Sequence, residues 1–300
     1  MEDIMPETKP AILIGLIGAN LQFSKAPQVH MQEGENCGMR YVYRLIDLTA
    51  LGLGNDALPN LLQAGRQLGF NGFAVTHPCK EAILPHLSEL SDDARLLGAV
   101  NTVVLEDGKW IGHNTDWFGF ANSFRRDMAG VRTHRVVQLG AGGAGKAVAH
   151  ALLTCGVQRV DLWVRNPQKA KPVIDGLAAV HGADRIGLVN NLAMAIAGAD
   201  GLVNATPIGM DAHPGCPLPT HLLRPDLWVA DLIYSPAETE LLGAARLKGA
   251  RTHNGEGMFF SQAAEQFRLF TGVSPDERRM KEHLKLISRT RHQATCQPGA

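Results

Sequence analysis

Short apolar runs alternate with amphipathic segments along nearly the whole chain. Runs rich in Ile, Val and Leu predict buried strands, whereas apolar residues three or four positions apart predict helices. In the first third of the chain the pattern ends in two runs joined by Asp107-Gly108, a dipeptide typical of a two-residue hairpin turn. The predicted strands are Ala11–Ile17, Tyr41–Leu48, Gly72–Val75, Val100–Leu105 and Lys109–Gly112, with helices toward Gly34, over Asp56–Leu68 and from about Lys80.

A second alternating series begins near Asp116. Its regular succession of strands and helices predicts a doubly wound parallel sheet. The predicted strands are His134–Leu139, Arg159–Val164, Gly201–Asn204 and Trp228–Leu232, and the helices are Asp116–Met128, Gly143–Thr154 and Pro167–Val180. The last part is helical over Met258–Phe270, and a capping box at Ser274–Glu277 predicts another helix to about Ser288.

Composition excludes several classes of function. Lys and Arg together number 29, as do Asp and Glu, so the formal net charge of zero indicates no nucleic-acid or membrane partner. The chain has no run of about 18 apolar residues that could span a bilayer. The 5 cysteines are scattered without CxxC spacing. They predict reduced thiols and a cytoplasmic location, with neither a disulfide framework nor a metal site.

A glycine-rich turn separates the predicted strand His134–Leu139 from the helix after it. Its spacing is GxGxxG: the first glycine permits a tight turn, the second lets backbone N–H groups approach a pyrophosphate, and the third lets helix and strand pack closely. The amino end of the helix adds partial positive charge for the phosphates. Strand, spacing and helix agree, so we predict a dinucleotide site. Its residues are Gly140, Ala141, Gly142, Gly143, Ala144 and Gly145.

The residues after the next strand bear on the choice between NAD and NADP. An acidic side chain there usually binds the ribose 2′-hydroxyl of NAD, whereas a basic one suits the 2′-phosphate of NADP. Residues 164–169 include Arg165 and Lys169 and no acid. A guanidinium group binds phosphate with two hydrogen bonds. The sequence therefore favours NADP over NAD, with ordinary solvated charges as the alternative.

These features predict an α/β fold class with two domains. Residues 1–115 form an N-terminal α/β substrate-binding domain, which helices within 256–288 complete. Residues 116–255 form a Rossmann-type, doubly wound dinucleotide-binding domain. The polar segment 289–300 is predicted to be a disordered tail.

Polar motifs outside the glycine-rich turn occur where a plain scaffold would not need them. They are Phe23–Pro27, Ala74–Lys80, Gly98–Thr102, Asn114–Asp116, Asn204–Met210, Asp231–Pro236 and Gly255–Gln262. Taken in this order, from about Ile14 to Thr271, they resemble the shikimate dehydrogenase family. The most specific motifs are VTxPxK, GAVNT, NTD and NATPxGM. Features such as His77 resemble most closely the quinate/shikimate and aminoshikimate branches.

The resemblance implies an NAD(P)-dependent oxidoreductase that transfers hydride reversibly between its cofactor and a hydroxyl of a cyclic hydroxycarboxylate, such as shikimate. The family's catalytic lysine and aspartate match Lys80 and Asp116. A lysine ammonium can supply the proton at the carbonyl oxygen, and a carboxylate can bind the substrate hydroxyl. By the same match, the substrate residues are Ser24, Thr76, Asn101, Tyr234 and Gln262, and further cofactor residues are Asn204, Thr206, Gly257 and Met258.

Two departures from the family pattern leave the substrate open. Ala26 replaces a usual Ser or Thr, and Ala74 replaces a common Asn. A lost hydrogen bond to a carboxylate costs about 1.5–3 kcal/mol. The less polar pocket predicts weak activity on shikimate, or activity on a substrate with a modified ring. A quinate or aminoshikimate dehydrogenase is therefore an alternative. A second alternative is a non-catalytic regulator that binds a nucleotide. The sequence also leaves the pathway open, which is either aromatic amino acid biosynthesis or a catabolic route. The oligomeric state, a monomer or a homodimer, is open as well.

Overall fold

A computed structural model describes residues 11–284 of the chain. These residues divide into two compact units. The first comprises the residues up to Ser91, Val100–His113 and those from Ala263 onward; the second comprises Asp92–Ala99 and Asn114–Gln262. The predicted tail at 289–300 lies outside the described residues.

The elements up to residue 113 are β1 Ala11–Gly18, α1 Ala26–Asn36, β2 Arg40–Asp47, α2 Leu48–Leu51, α3 Leu58–Gln67, β3 Gly72–Val75, α4 Cys79–Ala82, β4 Glu89–Leu90, α5 Asp92–Leu97, β5 Thr102–Glu106 and β6 Lys109–His113. Those that follow are α6 Asp116–Asp127, β7 Arg135–Leu139, α7 Gly143–Thr154, β8 Arg159–Trp163, α8 Pro167–His181, β9 Ile186–Leu188, α9 Leu192–Ala197, β10 Gly201–Asn204, β11 Trp228–Asp231, α10 Glu240–Leu247, β12 Thr252–His253 and α11 Gly255–Thr271. Residues 277–284 are also helical.

The first unit is built on a mixed sheet with the strand order β2-β1-β3-β5-β6-β4. Strand β1 is parallel to both β2 and β3, whereas β5 is antiparallel to β3 and β6. The predicted hairpin is confirmed: Asp107 and Gly108 have φ values of 47° and 74°, as a turn with two left-handed central residues requires. The core of this unit includes Ile14, Tyr43 and Phe267.

The second unit contains a wholly parallel sheet in the order β12-β11-β10-β7-β8-β9. The first strand of the series, β7, lies in the middle, and the order reverses on either side of it. This is the strand order of dinucleotide-binding folds, so the doubly wound prediction is confirmed. One apolar cluster, including Val148 and Leu152 of α7, packs against one side of the sheet; a second, including Leu241 of α10, packs with Val137 and Leu139.

Two predicted helices differ from the structure. The helix expected from about Lys80 is only the single α-helical turn α4, and a 3-10 turn over Leu84–His86 follows it, where Pro85 lacks the N–H that a longer α-helix would use. The last helix is not capped by Ser274. Instead, the Asp276 carboxylate accepts the N–H groups of Arg278 and Arg279 at 3.0 and 3.1 Å, so the helix begins two residues later than the capping box implied.

His30 lies in the aromatic core of the first unit, where its ring is 0% exposed. Its Nδ1 is 3.3 Å from the Tyr41 hydroxyl, and the ring lies 5.0 Å from that of Tyr43. Its Nε2 has no hydrogen-bond partner within residues 11–284. Burial lowers the pKa of His30 from 6.5 to about 3, because the imidazolium cannot be solvated there.

We predict that His30 makes the protein lose stability in mild acid. The folded-state pKa is depressed, so between pH 6.5 and 3 the unfolded chain binds a proton that the folded chain excludes, and the free energy of unfolding falls as the pH falls. The loss from this residue is about 2 kcal/mol by pH 5. His30→Phe should flatten the pH dependence of urea unfolding, whereas His86→Gln, at an exposed histidine, should not. Equal slopes in His30→Phe and wild type would contradict the assignment.

Candidate active site: substrate and dinucleotide residues

In the first unit, parallel pairing brings the loops after β1 and β3 to the same sheet edge. The Thr76 N–H donates to the Ile17 carbonyl at 2.9 Å, and the Ala19 N–H donates to the His77 carbonyl at 2.9 Å. The absence of a side chain at Gly18 makes room for this approach, since a Cβ there would lie 2.4 Å from the Thr76 methyl carbon. The half-buried Thr76 is therefore held beside the loop that carries Ser24.

Asp47, at the end of β2, fixes the loop after β1. Its carboxylate accepts the Asn20 and Leu21 N–H groups at 3.0 and 2.7 Å, and it also accepts the N–H groups of Thr49 and Ala50. The hydrogen bond from Leu21 is the main cause that lowers the pKa of Asp47. Sequence reasoning missed this residue, because its partners in the loop lie 26 and 27 positions away.

Ser24 lies at the start of α1, half-buried. Its Oγ accepts the Ala26 N–H at 3.3 Å, which is a capping interaction of the kind a serine makes without any ligand. The same hydroxyl retains its proton for donation, so capping and carboxylate binding are compatible. Ala26, the helix residue that replaces the family hydroxyl, offers only its backbone N–H to this turn.

Backbone hydrogen bonds place Lys80 and Asn101 at this edge as well. The Val100 N–H donates to the Lys80 carbonyl, and the Val75 N–H donates to the Asn101 carbonyl, both at 2.8 Å. Asn101 is 1% exposed, and its amide oxygen accepts from the Thr102 hydroxyl at 3.0 Å. Gln266 of α11 donates to the Asn101 carbonyl at 3.1 Å, a contact that sequence reasoning missed. Ser24, Thr76, Lys80 and Asn101 thus share one edge of the first sheet.

In the second unit, Asp116 is the first residue of α6 and is 2% exposed. The Asn114 amide accepts the Asp116 N–H at 3.1 Å and donates to the Ala99 carbonyl at 2.9 Å. Asn114 therefore fixes the backbone just before the N-cap Thr115, and Asp116 lies in the first turn of the helix, where the helix dipole favours a carboxylate.

Helices α6 and α11 approach closely through two glycines. A Cβ on Gly119 would lie 2.7 Å from the Met258 carbonyl oxygen, and one on Gly257 would lie 2.8 Å from Ser123 Cβ. Gly257 therefore has a packing role, and Met258, 7% exposed, belongs to the apolar core. Their predicted contact with the cofactor stays a prediction. Other members of this region are Gln262, which lies next to Gly119, and Tyr234, whose ring stacks on Phe259 at 5.2 Å.

The glycine-rich turn of Gly140–Gly145 connects β7 to α7 in the predicted way. Gly140 has a φ of 90°, and a Cβ there would lie 3.0 Å from the Ala205 carbonyl oxygen. A Cβ on Gly145 would lie 2.8 Å from the Gly140 carbonyl oxygen. In contrast, a Cβ on Gly142 or Gly143 would meet no heavy atom within 4 Å beyond its chain neighbours and the backbone of α7, so a pyrophosphate can approach this backbone closely. The residues present fit a dinucleotide.

Asn204 shapes the loop after β10, which adjoins the glycine-rich turn through the Ala205 N–H bond to Leu139. The amide is 0% exposed and uses its full bonding capacity. It donates to the Ile208 carbonyl and the Asp231 carboxylate, both at 3.0 Å, and accepts from the Thr206 N–H and hydroxyl at 3.1 and 2.6 Å. The side chain of Asn204 is thus committed to the loop that presents Thr206.

Arg165 and Lys169 follow β8, and both side chains are exposed. Neither side chain makes a hydrogen bond or ion pair with the part of the chain that the structure describes. Asn166 between them caps α8 by accepting the N–H groups of Gln168 and Lys169 at 3.1 and 3.3 Å. Because Trp163 pairs with Leu139 and accepts the Gly140 N–H at 2.9 Å, Arg165 emerges at the same sheet edge as the glycine-rich turn.

Within residues 11–284, no group of three or more His, Cys, Asp or Glu side chains is arranged to hold a metal ion. No helix among the same residues is long and apolar enough to cross a bilayer.

Residues 16–103 match the family model "Shikimate dehydrogenase substrate binding domain", and residues 255–285 match "Shikimate 5'-dehydrogenase C-terminal domain". The chain is 50% identical over 275 residues to the shikimate dehydrogenase (NADP(+)) of Streptomyces avermitilis, covering 91% of this chain and 94% of the relative. The chain belongs to the shikimate dehydrogenase family.

Other members of the shikimate dehydrogenase family extend the comparison. The quinate/shikimate dehydrogenase (NAD(+)) of Corynebacterium efficiens is 46% identical over 278 residues, with 90% of this chain and 96% of the relative covered. The structure of quinate dehydrogenase from Corynebacterium glutamicum in complex with NAD matches with a TM-score of 0.87 and 44% identity, covering 92% of this chain and 99% of that one. The predicted family and fold class are confirmed.

We predict that Asn204→Asp strongly destabilises the protein at neutral pH. The new carboxylate would face the Asp231 carboxylate at the present 3.0 Å hydrogen-bond distance, and burial already raises the pKa of Asp231. The cost should be about 3 kcal/mol or more at pH 7 in urea unfolding. The repulsion raises the carboxylate pKa in the folded state, so the folded protein binds a proton that the unfolded chain releases, and the loss should shrink toward pH 5.

The matched control is Asn191→Asp, because Asn191 is exposed and caps α9 by accepting the Met194 N–H at 3.0 Å. Aspartate caps a helix equally well, so this variant should remain within about 0.5 kcal/mol of wild type. If Asn204→Asp were as stable as the control at pH 7, Asn204 would not be part of a tight buried network.

Proposed function

We propose that the protein is an NAD(P)-dependent dehydrogenase that interconverts a secondary hydroxyl and a ketone on a cyclic hydroxycarboxylate, with shikimate and 3-dehydroshikimate as the substrate pair. The observation that carries the proposal is the convergence of two motifs at one sheet edge of the first unit: Thr76 and Lys80 come from one motif and Asn101 from the other. The second unit supplies a complete dinucleotide turn at Gly140–Gly145.

The reaction also moves a proton, and side chains of the protein must transfer it. Bound NAD(P) supplies the hydride acceptor in one direction and the donor in the other. We assign Lys80 to proton transfer at the substrate oxygen: its Nζ donates a proton to the ketone oxygen during reduction and accepts it during oxidation. We assign Asp116 to the same oxygen, where its carboxylate accepts the hydroxyl hydrogen and orients it. The family motif supports the pairing of these two residues.

The substrate carboxylate has fewer donors here than the family pattern supplies. Ser24 retains one hydroxyl, and Ala26 lacks the second. Thr76, Asn101, Gln262 and Tyr234 are proposed to contact the ring and its substituents. A less polar pocket supports a second candidate, oxidation of quinate or of an aminoshikimate, and relatives named as quinate/shikimate dehydrogenases are consistent with it.

A non-catalytic regulator with this fold would need nucleotide binding alone. It would have no use for a lysine at the Lys80 position of VTxPxK or for a buried carboxylate in the first turn of α6. Asp116 is 2% exposed, and burying a carboxylate costs free energy that a mere scaffold could avoid with an apolar residue. These residues favour the enzyme over the regulator.

We propose NADP as the preferred cofactor, with NAD accepted less well. Arg165 and Lys169 supply two exposed cations after β8, and no carboxylate occurs between them. Lysine is a mobile point charge and binds phosphate less specifically than arginine, which limits the preference. A cytoplasmic location is proposed on the unpaired Cys37, Cys79, Cys155 and Cys216. A monomer or homodimer stays a prediction.

Lys80→Ala should lower kcat for shikimate oxidation by about 10²–10⁴, because proton transfer at the substrate oxygen loses its donor and acceptor. KM should change less, since the residue acts mainly in the transition state. Steady-state kinetics of the variant and of Lys171→Ala, an exposed lysine in a surface ion pair, provide the comparison. Near-wild-type turnover by Lys80→Ala would remove this residue from the mechanism.

Arg165→Asp should reverse the cofactor preference. The introduced carboxylate repels a 2′-phosphate and accepts a hydrogen bond from the 2′-hydroxyl of NAD. The measurement is kcat/KM for NADP and NAD in wild type, in Arg165→Asp and in Arg40→Asp, which changes an exposed arginine of the first unit by the same charge. A wild-type enzyme that prefers NAD, with a ratio unchanged by Arg165→Asp, would show that this arginine does not contact the cofactor.

A further inference from the structure

Gln138 is a buried amide among the apolar residues in the middle of β7. Its β7 neighbours Val136, Val137 and Leu139 are 0%, 0% and 2% exposed, and Gln138 itself is 0% exposed. An amide at such a position costs free energy unless hydrogen bonds replace those it made with water. Its Oε1 has no hydrogen-bond partner within residues 11–284, so the residue is a poor choice for stability alone.

The Nε2 group of Gln138 connects the two ends of the glycine-rich turn. It donates to the carbonyl oxygens of Gly140 and Gly145, each at 2.8 Å. These are the first and third glycines of the motif. The reverse amide orientation would place Oε1 against two carbonyl oxygens, so the hydrogen-bond network itself decides which atom is nitrogen.

The bond to Gly140 also sets the direction of the next N–H group. In a trans peptide the carbonyl and the following N–H point to opposite sides. Because Gln138 draws the Gly140 carbonyl inward, the Ala141 N–H points away from the sheet interior. In the turn that follows, the Cβ positions of Gly142 and Gly143 meet no heavy atom within 4 Å beyond their chain neighbours and the backbone of α7, so the turn leaves room for a phosphate.

We propose that Gln138 is a positioning residue of the dinucleotide site, which holds the Gly140–Ala141 peptide so that its N–H is directed toward the cofactor pyrophosphate. The inference rests on the proposed function, since it presumes that this turn binds NAD(P). It does not place Gln138 in contact with the cofactor. The glycines provide room for the phosphates, and the buried amide provides the orientation that glycines, being flexible, cannot fix themselves.

The test compares Gln138→Met, which keeps the side-chain length but has no donor, with the control Val136→Ala, which creates a cavity in the same strand. Titration calorimetry measures the Kd of each protein for NADP and for adenosine 2′-phosphate, a fragment without the pyrophosphate. Gln138→Met should raise the Kd for NADP about tenfold, as loss of one oriented donor to an anion implies, and leave the Kd of the fragment unchanged. Val136→Ala should lower the melting temperature without changing either Kd.

Gln138→Glu provides a second, independent variant, because a carboxylate cannot donate to either carbonyl and adds a negative charge behind the phosphate site. Its Kd for NADP should rise at least as much as that of Gln138→Met. An unchanged Kd for NADP in both variants, or an equal loss for NADP and the fragment, would overturn the positioning role. A wild-type protein that binds neither NADP nor NAD would instead overturn the proposed function.

Discussion

The parallel register of β10, β7 and β8 is the constraint on which the proposed cofactor site depends. Leu139 of β7 pairs with both Asn204 of β10 and Trp163 of β8, so the three strands end side by side at the same edge of the sheet. The glycine-rich turn, the loop of Thr206 and the segment of Arg165 are therefore neighbours through backbone geometry, before any side chain contributes. A slip of one residue in this register would turn every side chain of the moved strand to the opposite face. The apolar clusters on both faces of the sheet prevent it.

Parallel strand pairing also organises the first unit, where other hydrogen-bonding groups hold the loops in place. Parallel pairing of β1 with β2 and β3 brings three loops to one edge, and hydrogen bonds then fix each loop. Asp47 holds the loop of Ser24 from one side, and the backbone of His77 holds it from the other. In both units, polar groups such as the half-buried Asp47 and the buried Asn204 and Gln138 do not contact a ligand themselves in this account. They give loops at a strand edge a defined shape, so that exposed groups are preorganised for binding.

Local pattern was sufficient to predict most of the longer elements and the positions of the motifs, but not short elements such as β4, β9 and β12. The strand Gly72–Val75, the helix Gly143–Thr154 and the Asp107-Gly108 hairpin follow from periodicity and turn chemistry, and the structure contains each of them. Partners distant in sequence could not be predicted in this way. The bond from Gln266 to Asn101 spans 165 positions, and nothing in the composition of α11 identifies its acceptor. A detectable signal did exist for Gln138, since an amide within the apolar run Val136–Leu139 is unusual and requires partners.

The most direct test of the central claim is a matrix of purified protein with shikimate, quinate or aminoshikimate and either NADP or NAD, followed through the absorbance of the reduced nicotinamide. The account predicts cofactor reduction with at least one of these ring acids, at a higher kcat/KM with NADP than with NAD. The comparison among acids then identifies the ring acid that the protein favours. A protein that binds NADP yet reduces neither cofactor with any of the three acids would contradict the assignment of a dehydrogenase.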